Sequence, residues 1–268
     1  GRYFARIVPP CASWFFWAME QAPPQQNMAF SVLDSVNCIL IKEKVSLIEA
    51  ASAILGQEIE MANKYKVTDK ESGQQLFYAV EQTGCCTRQL KQCYGDCAPW
   101  KLDILAGSRS MTPVVKMKRP FTCTCCCFNR PVVHISDAST GAKIGSIIDP
   151  WECCGHTFTV RDASGRKIVR AKGSCCQWGL CCPCPCGPCS TVSFDLRDPS
   201  GSNIGKLKKK VPGILKYFCA PDVDNYIVDF SKKDAWPSDR KMMMIALSIF
   251  MDFRLFNDNS NDERKEKS

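Results

Sequence analysis

The sequence predicts a mainly antiparallel β fold, a closed barrel or a sandwich of about a dozen strands, with one apolar helix near the C-terminus. Two observations support the β part: turn-forming clusters recur between segments rich in β-branched residues, and apolar residues begin to alternate near residue 38. A third observation, the apolar run Met242–Met251, predicts the helix, because a helix that is apolar on every side requires burial.

The first 32 residues are predicted to be a flexible segment that precedes the folded part. They are aperiodic and contain the run Pro23-Pro24-Gln25-Gln26, which favours neither helix nor strand. Residues 33–256 are expected to form one folded domain. Its first strand follows from the alternation of Ile39, Ile41 and Val45 with their neighbours, and a helix beginning near Val45 is the alternative interpretation.

Hairpin turns are predicted at four clusters that begin with Asp and end with Gly. The Asp side chain, with a neighbouring Ser, hydrogen-bonds the turn, and the Gly supplies a positive φ. The clusters are Asp69–Gly73, Asp137–Gly141, Asp162–Gly165 and Asp198–Gly201, and a weaker fifth copy surrounds Gly107. These hairpins, with two strands near residues 38–67 and one or two near 213–230, give about a dozen strands.

The C-terminal helix is predicted over residues 239–256, with Ser238 or Asp239 as its cap. Its uninterrupted apolar run has ten residues, about half of the ~20 that a membrane-spanning helix requires. We therefore expect it to pack inside the β structure. The residues that define this central helix are Met242, Ile245, Ile249 and Phe253. The charged tail 257–268 is predicted to be disordered.

Composition and charge narrow the class of protein. With 45% hydrophobic and 23% charged residues over 268 residues, the chain is neither wholly disordered nor a protein of many membrane spans. Many of its 20 cysteines are direct neighbours, which disulfide geometry disfavours, so we expect reduced thiols and a cytosolic compartment. The net charge of +8 fits a nucleic acid or an anionic membrane as partner. Since the sequence contains neither a phosphate-binding loop nor a hydrolytic nucleophile motif, we expect no enzyme.

A set of short motifs follows in a fixed order between about residue 33 and residue 256. They are Asn63-Lys64-Tyr65, Glu81–Arg88, Arg119-Pro120-Phe121 followed by Cys123–Cys127, Gly205-Lys206, Gly213-Ile214-Leu215, Asp222–Tyr226, and the terminal helix with Asp252. Through this ordered set the sequence resembles the phospholipid scramblases. The resemblance implies a tubby-like fold, an antiparallel β-barrel of about twelve strands that encloses the hydrophobic C-terminal helix. This agrees with the strand count obtained from the turns.

The resemblance also implies a function, the calcium-responsive and ATP-independent movement of phospholipids in both directions between leaflets. The partner is then an anionic phospholipid membrane, at the cytosolic face of the plasma membrane. The alternative is a lipid-anchored signalling or interaction module that binds protein partners without scrambling lipids, with a nuclear, DNA-contacting role when it is not acylated. A nucleic-acid partner is the least favoured, because the sequence has no recognisable recognition helix.

The cysteines that follow Arg119-Pro120 correspond, by the resemblance, to an S-acylated segment. The acceptors are then Cys123, Cys125, Cys126 and Cys127. Exposed thiols close to a membrane suit thioester-linked palmitate, and two chains anchor stably where one does not. Buried structural cysteines are the alternative.

A second cysteine-rich stretch permits either further acylation or a structural zinc ion. It comprises Cys181, Cys182, Cys184, Cys186 and Cys189. The last two form a Cys-x-x-Cys pair, and tetrahedral zinc needs a second pair from a neighbouring segment.

The segment that starts at Asp222 resembles an EF-hand-like calcium loop, with Asp222 and Asp224 at positions one and three. Weak binding is expected, because Ile227 replaces the glycine of the sharp turn and Lys233 replaces the bidentate acid. The remaining candidate ligands are Tyr226, Val228, Phe230 and Asp229. A turn leading into a strand, with solvated acids, is the alternative.

The basic run of Lys206, Lys208, Lys209 and Lys210 corresponds to the family's nuclear-import segment. A solvated face, or a strand edge protected against aggregation, is the alternative. Contact with anionic lipid is a further one.

Overall fold

The computed structural model describes residues 28–44, 63–82, 93–107, 112–125, 127–181, 187–210, 222–230 and 236–256. Within these residues, twelve strands form a closed antiparallel barrel in which chain neighbours pair and β1 pairs with β12. The strands are β1 Cys38–Lys44, β2 Lys64–Asp69, β3 Gln75–Glu81, β4 Trp100–Ala106, β5 Pro113–Arg119, β6 Val132–Asp137, β7 Lys143–Ile148, β8 Gly155–Asp162, β9 Lys167–Ser174, β10 Thr191–Arg197, β11 Asn203–Lys210 and β12 Asp222–Asp229. A short helix, α1 (Trp178–Cys181), precedes β10, and the long helix α2 (Ser238–Leu255) follows β12. The predicted fold class is confirmed.

Alternating burial along the strands separates the inside of the barrel from its outer surface. In β9, Val169 and Ala171 are buried, whereas Arg170 and Lys172 are exposed. Successive side chains of a strand point to opposite faces of the sheet, so this alternation is the one expected of a sheet with one solvated side.

Five predicted turns each connect two consecutive strands, from β2–β3 to β10–β11. In the turn after β6, an Asp137 carboxylate oxygen accepts hydrogen bonds from the backbone N–H groups of Ser139 and Thr140, at 2.8 and 2.9 Å. Gly141 closes the turn with φ +71°, a conformation that side-chain-bearing residues rarely adopt. The local chemistry read from the sequence is therefore the chemistry that forms these hairpins.

Helix α2 lies in the middle of the barrel, and every residue from Lys241 to Phe253 is buried. Phe253 stacks on Trp100 of β4, with ring centroids 4.6 Å apart. The expected packing of the helix inside the β structure is confirmed. Its cap differs from the prediction: Pro237, which carries no capping oxygen, precedes the first turn, and Asp239 lies within that turn.

The folded part begins earlier than residue 33, because Met28–Leu33 forms a 3-10 helix. Phe30 and Leu33 are buried in the core, and Lys241 of α2 donates hydrogen bonds to the Leu33 and Val36 carbonyl oxygens at 2.7 and 2.8 Å. Burial of these two apolar side chains is the physical reason for the earlier start. Residues 1–27, residues 45–62 and the tail 257–268 lie outside the described residues.

The barrel has two ends of different construction. The hairpin end consists of the short turns that begin at Asp69, Asp137, Asp162 and Asp198, with the turn at Gly107. The long-loop end carries the connections after β3, β5, β7 and β9, described at residues 93–99, 120–131, 149–154, 175–181 and 187–190. Helix α2 starts at the hairpin end, where Trp236 Nε1 donates to the Ile204 carbonyl oxygen at 2.9 Å, and runs to the long-loop end.

Candidate functional site

The predicted acylation segment forms the loop between β5 and β6 at the long-loop end. Cys123, Cys125 and Cys127 are exposed, so the alternative of buried cysteines does not hold for these three, and Cys126 lies outside the described residues. The backbones of Cys125 and Phe128 exchange hydrogen bonds of 3.3 and 2.8 Å, which fold the segment into a tight turn. The three thiols are therefore accessible on a structured loop.

A neighbouring loop contributes a further thiol to this segment. The Thr122 N–H donates to the Cys97 carbonyl oxygen at 3.1 Å, which joins the loop before β4 to the loop after β5. A hydrogen bond with the Cys97 thiol raises the pKa of Cys123. A raised pKa favours the protonated thiol at neutral pH, which is the weaker nucleophile.

The second cysteine-rich stretch is described only in part. Cys181 is exposed and Cys189 half-buried, whereas Cys182, Cys184 and Cys186 lie outside the described residues. The Sγ atoms of Cys175 and Cys176 lie 3.6 Å apart. Among the described residues, no group of three His, Cys, Asp or Glu side chains has a metal-binding arrangement. A zinc ion on this stretch stays a prediction, as does its acylation.

The predicted calcium segment forms strand β12, which pairs with β1 on one side and β11 on the other. The alternation of the strand buries Tyr226 and Val228 inside the barrel, followed by Phe230, while Asp229 is exposed. The backbone is thus extended, in contrast to the turn expected from a calcium loop, because it completes the barrel. Calcium binding by this segment stays a prediction.

In the register of β12, the two aspartates at the start of this segment pair with lysines of β1. Asp224 pairs with Lys42, and Asp222 with Lys44. These are backbone positions, and the side chains of Asp222 and Asp224 lie outside what the structure describes. A lysine at each paired position makes this part of the sheet less anionic than the sequence segment alone suggests.

The basic run forms the second half of β11, and the barrel divides it. Lys206, Lys208 and Lys210 are exposed, whereas Lys209 is buried with 6% of its surface accessible. Lys209 shares the inward face with Leu207 because residues two apart lie on the same side of a strand. The surface run therefore contains three lysines, and the closed barrel gives β11 a paired strand on each side in place of an edge.

A buried polar cluster surrounds Asp252, close to the C-terminal end of α2. Lys209 Nζ lies 2.5 Å from Asp252 Oδ1. The hydroxyls of Tyr226 and Tyr65 donate to the two oxygens of the same carboxylate at 3.0 and 2.9 Å. Burial, and then the Asp252 charge, raise the pKa of both tyrosines well above the usual value.

Sequence reasoning recognised Asp252 within a motif but assigned it no contact. The available signal was the alternation of β11, because a lysine two residues after Leu207 in a half-buried strand needs an internal counterion. The cluster ties β2, β11 and β12 to the central helix, and it fixes the axial position of α2 in the barrel.

An ion-pair network holds the last turn of α2 to the long-loop end. Asp149 accepts from Arg130 Nη2 at 2.6 Å and from Arg254 Nε at 2.9 Å, on the same carboxylate oxygen. Arg130 Nε also donates to the Asp149 carbonyl oxygen at 2.9 Å. The network links the loop that carries the exposed cysteines to the loop after β7 and to the helix.

Among the described residues, no helix combines the length and the apolar character that crossing a bilayer requires.

Comparisons with known proteins identify relatives over nearly the whole chain. The sequence model of the Scramblase family matches residues 17–258. Phospholipid scramblase 1 of Rattus norvegicus is 28% identical over 257 residues, which cover 92% of this chain and 68% of that protein. The human protein of the same name is 28% identical over 256 residues, covering 93% of this chain and 72% of its own length. Phospholipid scramblase 2 of Bos taurus is 28% identical over 247 residues, covering 90% and 75%. No solved structure matches the chain.

Proposed function

Because this chain belongs to the Scramblase family, we propose that it moves phospholipids in both directions between the leaflets of a membrane. The movement is independent of ATP and responds to calcium. The observation that carries this proposal is the family match over residues 17–258, which includes the whole barrel and its central helix. The activity is transport, and it requires no covalent chemistry by the protein.

The packed interior of the barrel restricts where lipids can move. The core of the described residues is continuous from the strands to α2, whose side chains are buried on all sides. A close-packed core of this kind has the density of an organic crystal and does not admit a lipid. The lipids therefore move along a surface of the protein.

Reconstitution of the purified full chain into vesicles tests the activity directly. Vesicles containing a fluorescent phospholipid are treated with an impermeant reductant, with calcium or with a chelator, and with or without ATP. With calcium, the label of both leaflets should be reduced, because lipids of the inner leaflet move to the outer one, and ATP should change nothing. Reduction limited to the outer leaflet in all conditions would refute lipid movement by this chain.

The calcium response is assigned to weak binding at Asp222 and Asp224, since Asp229 lies at the opposite end of the extended strand β12. We expect an affinity no tighter than ~10⁻⁴–10⁻³ M, since the sharp-turn glycine and the last acid are missing. Calorimetry should show that Asp222→Ala abolishes binding and that Lys233→Glu tightens it. The matched control is Asp195→Ala, at a partly exposed acid of β10, which should bind as the unchanged chain does. Micromolar affinity in the unchanged chain, or no response to either substitution, would refute this site.

Membrane attachment is assigned to thioesters on Cys123 and Cys125–Cys127. Exposure of three of these thiols supports the assignment. The triple change of Cys125, Cys126 and Cys127 to Ser should move the protein from the cytosolic face of the plasma membrane to the soluble fraction and the nucleus, while Cys38→Ser leaves it attached. Unchanged fractionation after hydroxylamine would exclude acylation as the required anchor.

A second candidate function is a lipid-anchored interaction module that does not scramble lipids. The filled barrel favours it, because the interior offers no lipid path within the described residues. Under this hypothesis the acylated chain binds vesicles and leaves the label of the inner leaflet protected in every condition. The vesicle assay therefore separates the two functions.

A further inference from the structure

Exposed aromatic side chains gather at the long-loop end of the barrel. Phe128 is 73% exposed, Trp178 64% and Trp151 49%, and each belongs to a different loop. Tyr94, in the loop before β4, and Phe121, in the loop after β5, are also exposed and pack edge to face, with ring centroids 5.3 Å apart. An apolar patch shared by several loops at one end of a domain is typical of an interaction surface.

The loop that carries Trp178 is held in place by its neighbour. The Gln177 side-chain amide donates to the Ser193 carbonyl oxygen at 3.0 Å and accepts from the Ser193 N–H at 2.7 Å. A neighbouring β-strand would make the same pair of hydrogen bonds to Ser193. Gly179 lies so close to β10 that an added Cβ would come within 2.9 Å of Val192. The exposure of Trp178 is therefore a feature of a fixed loop.

The described thiols are concentrated at the same end of the barrel as the exposed aromatic side chains. Of the described cysteines, all except Cys38 lie on the loops of the long-loop end. Cys38 starts β1 at the hairpin end, where its carbonyl oxygen accepts from the Lys70 N–H at 2.9 Å. The long-loop end thus combines weakly polar thiols with exposed aromatic rings.

Lysines surround this end on the outer surface of the barrel. Among the three strand residues nearest this end, the exposed lysines are Lys101, Lys118, Lys172, Lys208 and Lys210. The described loops also carry three acids, Asp96, Glu152 and Asp149, and two arginines bind the last of these.

The hairpin end presents turn aspartates, beside the exposed basic side chains of Lys70, Lys143, Arg166 and Lys167. A hydrogen bond from the Ser139 hydroxyl, with backbone N–H groups, lowers the pKa of Asp137 to about 2, and the Ser200 hydroxyl lowers that of Asp198. These turns stay anionic at any physiological pH. The turn aspartates offset the basic residues beside them and oppose contact with an anionic surface, whereas the lysines at the other end favour it.

We propose that the long-loop end is a docking surface for an anionic phospholipid bilayer, with Phe128, Trp151 and Trp178 inserted among the headgroups. Aromatic side chains partition into this interfacial layer, and the surrounding lysines contact the anionic lipids. The hairpin end then points away from the membrane. The choice of a membrane as partner rests on the proposed function, but the docking requires neither thioesters nor lipid movement.

The test uses the full chain produced in bacteria, without acyl groups, and vesicles of phosphatidylcholine with or without phosphatidylserine. Co-sedimentation should require phosphatidylserine and weaken with salt. Replacing Phe128, Trp151 and Trp178 together by Ser should weaken binding about tenfold or more, since partial burial of one such ring already contributes about that factor. The matched control is Val32→Ser, an exposed apolar side chain at the hairpin end, which should leave binding unchanged.

A measurement on the unchanged chain avoids any effect of the substitutions on folding. Vesicles should protect Cys153 and Cys154 from a water-soluble maleimide, while the labelling of Cys38 stays the same, as read by peptide mass spectrometry. The proposal is overturned by equal binding of the triple variant and the unchanged chain, by loss of binding in Val32→Ser, or by equal labelling with and without vesicles.

The docking surface and the proposed function fail in different ways. If the triple variant loses binding but the unchanged chain leaves the inner-leaflet label protected, the docking surface stands and lipid movement by this chain is wrong. If lipids move equally well with the triple variant and its vesicle binding is unchanged, the docking surface is wrong. Absence of vesicle binding by the unchanged chain would overturn the docking surface and point to a protein partner for the aromatic loops.

Discussion

Replacing Lys209 with Met would remove the counterion of a carboxylate that lies inside the barrel. The Lys209 and Asp252 side chains are 7% and 4% exposed, and their charged atoms are 2.5 Å apart. With an effective dielectric constant of about 20, this attraction amounts to about 7 kcal/mol. The variant keeps two tyrosine donors on Asp252, and water can enter, so we expect a loss of ~3–5 kcal/mol in the free energy of unfolding.

The loss can be measured by urea unfolding followed through tryptophan fluorescence, because Trp100 packs on Phe253 beside the cluster. The matched control is Lys208→Met, an exposed neighbour on the same strand, for which a change within about 0.5 kcal/mol is expected.

A second variant separates the buried charge from simple loss of packing. Lys209→Met combined with Asp252→Asn removes both charges, keeps an amide that can pair with the two tyrosine hydroxyls, and should recover at least half of the stability lost in the single variant. A single variant as stable as Lys208→Met would refute the reasoning, as would a double variant less stable than Lys209→Met alone.

Three further predictions concern titration and packing. Tyr65 and Tyr226 should stay protonated in the folded protein above pH ~10 and ionise only on unfolding, as measured by absorbance at 295 nm. Their raised pKa contributes stability that is present below pH ~10 and is lost as the pH rises further. Titration of all six tyrosines near pH ~10 in the native protein would contradict this. Asp137→Asn should lower the thermal midpoint of unfolding at neutral pH. The difference in midpoint from the unchanged chain should vanish as the pH falls from ~4 towards 2, because the lowered pKa of Asp137 contributes stability only above that window. A difference in midpoint that is independent of pH would argue against this role of Asp137. Gly145→Ala should lower the free energy of unfolding by ~1–3 kcal/mol, because the added Cβ would lie 2.3 Å from the Arg161 carbonyl oxygen. An unchanged urea midpoint would count against that contact.

The sequence alone predicted the elements whose formation depends on local chemistry. The turn at Asp137 needs only its own Ser and Gly, and the strands on either side need only their alternation. The central helix was equally predictable, since the run Met242–Met251 is apolar on every side and can be stable only when it is enclosed. Burial of Phe30 was missed, because short aperiodic segments carry no periodic signal.

The tertiary structure decided what depends on register and on closure of the barrel. The sequence shows four lysines in the basic run, but only the pairing of β11 turns Lys209 inward to Asp252 and leaves the others outside. Likewise, the cysteines and aromatic residues of the loops are far apart along the chain. Antiparallel pairing of consecutive strands returns every second connection to the same end of the barrel, and that geometry brings Cys123, Trp151 and Trp178 to one end.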